Sequence, residues 1–195
     1  MAKELKGKHV AALVTKGFEQ VELVDPKKAL ERVGATVHVV APETGTVLGW
    51  NHTEWGQPVN VDETLDTADV SNYDALLLPG GVINADHLRM NSKAVQLVKD
   101  FFETGRPIAV ICHGSWIMAE AGIVRGLKMT SYPSLKTDLR NAGAEWVDEE
   151  VVNDRGIVSS RKPQDLPAFT QKMIEEFAEG QHGGAGRREA AEMRT

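Results

Sequence analysis

The sequence predicts an α/β protein built on a parallel sheet that is covered on both faces. Three observations carry this. Short apolar runs rich in β-branched residues recur at His9–Val14, Thr36–Pro42, Tyr73–Leu78 and Pro107–Ile111. They are apolar throughout rather than alternating, which marks strands buried on both sides. Segments with helical spacing lie between them, and strand, helix, strand within about thirty residues is a βαβ unit.

His9-Val10-Ala11-Ala12-Leu13-Val14 ends at Thr15-Lys16-Gly17 and reads as the first strand. Glu22 to Val33 places Leu23, Val24, Ala29, Leu30 and Val33 near helical spacing. Pro26 falls early in that helix, where proline is best tolerated, and Gly34 stops it. Thr36 to Pro42 is the second strand. Val47 to Ala68 is punctuated by Gly, Asn, Thr and Asp and carries alternating pieces such as Val59-Asn60-Val61; it predicts a hairpin or an edge excursion. Tyr73 to Leu78 is the third strand, cut off by Pro79-Gly80-Gly81. Ser92 to Thr104 predicts an amphipathic helix with Ser92 as its N-cap and Gly105 behind it. Pro107 to Ile111 is the fourth strand, ending at Cys112-His113-Gly114, and Ser115 to Ala121 predicts the helix that follows. Leu135 to Ala144 fits another short helix. Val151-Val152 and Ile157-Val158-Ser159 flank Asn153-Asp154-Arg155-Gly156, a hairpin signal. Gln164 to Glu179 is the last helix. Residues 1–180 read as one domain without repeat or linker, and 181–195, with few apolar groups, as a flexible tail.

Composition bounds the function. The 195 residues are 42% hydrophobic and 26% charged, with a net charge of -6. An acidic surface without a run of Lys and Arg argues against a stable nucleic-acid complex. No stretch approaches the roughly 18 apolar residues that span a bilayer, and the charged start lacks a signal peptide's apolar region. The single cysteine cannot form an intrachain disulfide, so the fold does not depend on an oxidising compartment. The expected location is the cytoplasm. His9, His38, His52, His87 and His182 show no metal-ligand spacing, so neither metal nor cofactor is expected, and the four tryptophans read as packing or interface groups.

Ligands of such sheets sit at the carboxyl ends of the strands. Three loops leave strands there. Cys112 sits between a buried strand and a helix, where a sharp turn can expose a nucleophile and helix amides favour the thiolate; the alternative is a buried, inert cysteine. Gly80 and Gly81 allow close approach and positive φ, so Gly81 and His113 N–H groups can form an oxyanion hole; the alternative is a plain tight turn. Glu19 and Glu22 mark a strand-to-helix transition. Buried there, Glu22 would hold its proton and donate to the sulfur; otherwise both are ordinary helix-start charges. His113 adjoins Cys112, and adjacent side chains usually point apart, so it is not an obvious base for that sulfur.

These residues together resemble the PfpI branch of the DJ-1/PfpI superfamily. The resemblance is carried in order by Phe18-Glu19-Gln20-Val21-Glu22-Leu23, Leu78-Pro79-Gly80-Gly81, Ala109-Val110-Ile111-Cys112-His113-Gly114, Asn141-Ala142-Gly143-Ala144-Glu145-Trp146 and the run from Ser159 to Phe169. It implies a flavodoxin-like sandwich, similar to class I glutamine amidotransferases. It implies Cys112 as the reactive, redox-sensitive thiol and Glu22 as its protonated partner. It places Gly80, Gly81, Gly114 and Glu19 around the oxyanion or substrate. It also implies a homodimer or hexamer in which His113 meets an acid of another subunit. Asp86 stands where that acid is expected, although Val82-Ile83-Asn84 makes the loop one residue longer than usual. Ser115 replaces the proline many relatives carry after Cys-His-Gly. Members are described as cysteine peptidases, glyoxalase III enzymes or deglycases, chaperones and oxidative-stress proteins. The reading favoured here is a stress-response enzyme acting on reactive carbonyls or on glycated protein or nucleotide adducts. A cysteine peptidase or a non-enzymatic redox sensor is the alternative.

Overall fold

A computed structural model describes residues 4–181; the tail expected beyond that lies outside the described residues. In chain order the first half comprises β1 (His9–Leu13), β2 (Phe18–Glu19), α1 (Gln20–Arg32), β3 (Thr36–Ala41), β4 (Thr46–Asn51), β5 (Glu54–Asn60), β6 (Glu63–Thr64) and β7 (Ala75–Leu78). Then come α2 (Val82–Met90), α3 (Ser92–Glu103), β8 (Ile108–Ile111), α4 (Ser115–Glu120), β9 (Lys128–Met129) and α5 (Lys136–Asn141). The chain closes with β10 (Glu145–Trp146), β11 (Val151–Asp154), β12 (Ile157–Ser160) and α6 (Leu166–Glu179).

The central sheet has the order β11-β12-β8-β7-β1-β3-β6. Each neighbouring pair is parallel except β11 and β12. The fold is therefore the predicted α/β sandwich of flavodoxin-like type. Its strands are apolar throughout because each feeds two cores. On β1, Ala11 and Leu13 join Leu88, Phe101 and Met118 on one face. Val10 and Ala12 join Leu23, Leu30, Phe169 and Phe177 on the other. This is the two-residue alternation of a strand expressed in packing. Each fully buried ring contributes about 1.5–3 kcal/mol over exposure, so the two faces hold the sheet jointly.

The excursion between β3 and β7 is both things the sequence allowed. β4 and β5 form an antiparallel hairpin, while β6 extends the sheet edge beside β3. β2 pairs in parallel with β4, Phe18 opposite Gly49 and Glu19 opposite Trp50, which anchors the hairpin beside the start of α1. The β11–β12 turn places Arg155 and Gly156 at φ 51° and 80°, the two positive angles that a type I′ hairpin needs.

Several boundaries differ from expectation for identifiable reasons. α2 was not expected. It is capped by Gly81 at φ 92° without a side-chain bond, and it buries only Asn84, Ala85 and Leu88. One polar residue in so short a stripe hides the helical period. Asn91, not Ser92, caps α3, accepting from the N–H groups of Lys93 and Ala94. α1 begins at Gln20, so Pro26 lies inside it rather than near its start. α6 begins at Leu166 because Pro163–Asp165 winds as a 3-10 turn. No helix among the described residues is long and apolar enough to cross a membrane.

Candidate active site

β1 has β3 on one side and β7 on the other, so the chain turns in opposite directions from this strand. That reversal opens a crevice at the carboxyl ends of the strands. The loops after β1, β7 and β8 meet there, and three glycines let them close. A Cβ on Gly80 would lie 2.6 Å from Cys112 Cβ, and one on Gly81 would lie 2.6 Å from the Glu19 nitrogen. One on Gly114 would lie 2.7 Å from the Leu78 carbonyl oxygen. No larger residue fits without moving backbone.

Asn84 fastens two of these loops. Fully buried, its Oδ1 accepts from the Thr15 N–H at 2.7 Å. Its Nδ2 donates to the Pro79 and Gly80 carbonyls at 3.2 and 3.0 Å. Glu19 N–H also donates to the Gly80 carbonyl at 3.2 Å.

Cys112 opens a 3-10 turn, Cys112–Gly114, between β8 and α4. Its φ is 61°, a left-handed conformation that costs a non-glycine residue energy and persists where surrounding structure imposes it. This is the sharp strand-to-helix elbow expected. The residue is nearly buried, however, with Cys112 only 6% exposed. Burial, and the Glu22 charge when that group is ionised, push the thiol up, while the Gly81 and His113 N–H groups pull it down. Burial thus opposes the thiolate that a helix end was expected to favour. α4 has only six residues and starts three positions past the sulfur, so its end charge is small and distant.

Glu22 is fully buried in the first turn of α1. Its Oε2 accepts from the Gly80 N–H at 2.9 Å, so that amide is taken and is not available to an oxyanion. Burial, reinforced by the charge of Glu19, pushes the Glu22 carboxyl up to about 8, against the pull of Gly80 and Cys112. Its Oε1 is buried without a hydrogen-bond partner. A carboxyl that keeps its proton there can donate it to the neighbouring sulfur. Glu19 is half-buried on the rim; burial raises its carboxyl and the His52 charge lowers it.

His113 does not point away from the sulfur. Its Nδ1 is 3.2 Å from Cys112 Sγ. Burial lowers the imidazole below its ordinary value, which favours the neutral form that can accept a proton. Tyr132 stacks on it, centroids 4.7 Å apart, and Trp116 meets it edge-on at 5.4 Å. Ser134 Oγ lies 3.3 Å from its Nε2. Asp86 is exposed on α2 and is not among the partners His113 makes within the chain. No group of three His, Cys, Asp or Glu among the described residues could hold a metal.

Sequence reasoning did not find Asn84, Tyr132 or Ser134. Tyr132 and Ser134 come from a turn after β9, which the bond from the Tyr132 N–H to the Cys112 carbonyl, 3.2 Å, fastens to the elbow. Asn84 had a legible signal: an amide side chain three residues past a glycine pair, in a stretch otherwise read as loop.

Comparison with known proteins bears on the family and the fold. The model of the DJ-1/PfpI family matches residues 8–176. A deglycase of Pyrococcus horikoshii is 44% identical over 165 residues, covering 85% of this chain and 96% of the relative. General stress protein 18 of Bacillus subtilis is 39% identical over 171 residues, covering 86% and 96%. The crystal structure of a mutant of a DJ-1 superfamily protein from Salmonella typhimurium superposes with a TM-score of 0.80 at 25% identity, covering 96% of this chain and 97% of that one.

Proposed function

The chain belongs to the DJ-1/PfpI family, and on that premise we propose that it is a cofactor-independent stress-response hydrolase whose Cys112 attacks reactive carbonyls or glycated adducts. The observation that carries this is the elbow: a sulfur held at φ 61°, with an imidazole nitrogen at 3.2 Å and a buried carboxyl, pushed up to about 8, beside it.

The steps follow from those groups. Sγ bonds to the aldehyde carbon of methylglyoxal as the thiol proton passes to His113 Nδ1. The carbonyl oxygen becomes an oxyanion that the Gly81 and His113 N–H groups stabilise, then takes a proton as the hemithioacetal forms. The carbinol proton moves through an enediol to the neighbouring ketone carbon, leaving a thioester; His113 and Glu22 relay the protons. Water cleaves the thioester, restores the thiol and releases lactate. No external oxidant is needed, because one carbon is oxidised as its neighbour is reduced. On a glycated amine, the sulfur displaces the amine from the hemiaminal carbon and joins the same sequence. Lactate release from methylglyoxal, abolished in Cys112→Ala, is the expected result. Equal release by both proteins would end the proposal.

A cysteine peptidase is the second reading. It is favoured by the His113 orientation, since a base in contact with the sulfur is what peptide attack requires. On that reading Asp86 acts on His113 of a neighbouring subunit. Peptide cleavage that falls in both Cys112→Ala and Asp86→Asn, without lactate formation, would select it.

A further inference from the structure

We infer that Ser134 is a positioning residue for His113, fixing the ring and its proton so that Nδ1 is the atom that receives the Cys112 proton. The inference rests on the cysteine chemistry proposed above, but its test does not require turnover.

Three contacts from one short segment converge on the elbow. The Tyr132 N–H donates to the Cys112 carbonyl at 3.2 Å. The Tyr132 ring stacks on His113 at an interplanar angle of 27°. Ser134, in the 3-10 turn Pro133–Leu135, sets its Oγ 3.3 Å from Nε2. With the Cys112 sulfur 3.2 Å from Nδ1, the ring is held on a face and at both nitrogens. Trp116 meets the ring edge-on and is itself held by the bond from its Nε1 to Asp138 Oδ2 at 2.9 Å.

Three proton arrangements fit these distances. In the first, the sulfur keeps its proton and shares it with Nδ1, and Nε2–H donates to Ser134. In the second, Nδ1–H donates to a thiolate and the Ser134 hydroxyl donates to Nε2. In the third, Nδ1–H faces a sulfur that keeps its proton, with the same bond from Ser134. The second carries a buried charge, which this nearly enclosed site opposes. Of the two neutral arrangements only the first leaves Nδ1 free to take the thiol proton, so in the reactive form Ser134 accepts from Nε2–H. As the sulfur attacks, the imidazolium keeps that bond, and a hydrogen bond to a charged group is stronger than one to a neutral group. Ser134 thus does with a neutral oxygen what a carboxylate does behind the histidine of other nucleophile sites.

The assay is the rate of iodoacetamide alkylation at Cys112, the only cysteine. Carbon–sulfur bond formation there expels iodide and transfers the same proton. Ser134→Ala is expected to slow it about tenfold at neutral pH, the scale of one hydrogen bond to a charged group. Ser134→Thr, which keeps the hydroxyl, is expected to restore it. In a His113→Ala background, Ser134→Ala is expected to change nothing further. Nitrogen NMR of the His113 ring is expected to show the Nε2–H tautomer. An unchanged rate in Ser134→Ala, no recovery in Ser134→Thr, a tenfold loss persisting without His113, or an Nδ1–H tautomer would each overturn the inference. Absence of lactate formation would sink the proposed function and leave this result standing.

Discussion

Replacing Glu22 with glutamine isolates the energetics of a buried carboxyl. The side chain is fully buried and its carboxyl is pushed from 4.5 to about 8, chiefly by burial. In the unfolded chain Glu22 loses its proton near 4.5; in the folded chain it keeps the proton to about 8. Between those values the native state binds more protons than the unfolded state, so stability falls as pH rises. The contribution is complete below pH 4.5 and gone above about 8. At about 1.4 kcal/mol per pH unit, the interval amounts to roughly 5 kcal/mol. Glutamine has no proton to lose, and its carbonyl can still accept from Gly80. Urea unfolding of both proteins at pH 5, 6, 7 and 8 is the assay. The wild type is expected to lose several kcal/mol relative to Glu22→Gln across that range, with every other titration cancelling in the difference. Curves that stay parallel would show that Glu22 is ionised in the folded protein at neutral pH, and the proposed hydrogen bond to sulfur would go with it.

Two further perturbations test how the loops are closed. Gly80→Ala places a Cβ 2.6 Å from Cys112 Cβ and 2.9 Å from the Ile111 carbonyl, so backbone must move; thermal unfolding is expected to report a loss of about 1–3 kcal/mol or more, and a wild-type melting temperature would contradict the packing described. Asn84→Ala strands the Thr15 N–H and removes the donor to two carbonyls, for an expected loss of about 1–3 kcal/mol by urea unfolding; Asn84→Asp, which sets a carboxylate against those carbonyls, is expected to be worse, and the reverse order would refute the assigned donor.

What the sequence made legible follows from what each feature depends on. Strands β1, β3, β7 and β8 are buried on both faces, so their composition alone betrayed them. Cys112, Glu22 and the glycine pair were found because they sit at strand ends, where the topology assembles sites. The His113 orientation was misjudged because it depends on the left-handed φ of Cys112, which turns adjacent side chains together and leaves no mark in composition. The balance of amides against burial at the thiol was not legible, because the length of α4 and the depth of the sulfur decide it, and both are tertiary quantities. Ser134 lies twenty-two positions beyond Cys112, and neither periodicity nor spacing connects them.

The protonation of Glu22 also governs how Cys112 responds to pH. The alkylation rate of an isolated thiol climbs about tenfold per pH unit until its pKa, ordinarily about 8.5, because thiolate is the nucleophile. Here the neighbouring carboxyl titrates at about 8. Below that, a proton-bearing Glu22 can donate to developing negative charge on sulfur. Above it, the same side chain is an anion that pushes the thiol further up. Each step that should produce more thiolate is then opposed by a charge appearing beside it. The wild-type rate is expected to flatten as pH passes about 8, while Glu22→Gln, which removes that charge, continues to climb. Iodoacetamide kinetics between pH 6 and 10 on the two proteins measure this directly. A wild-type profile that rises with the same slope as the variant would mean that the two groups do not share protons electrostatically, and the coupling on which the site's reactivity is argued would be absent.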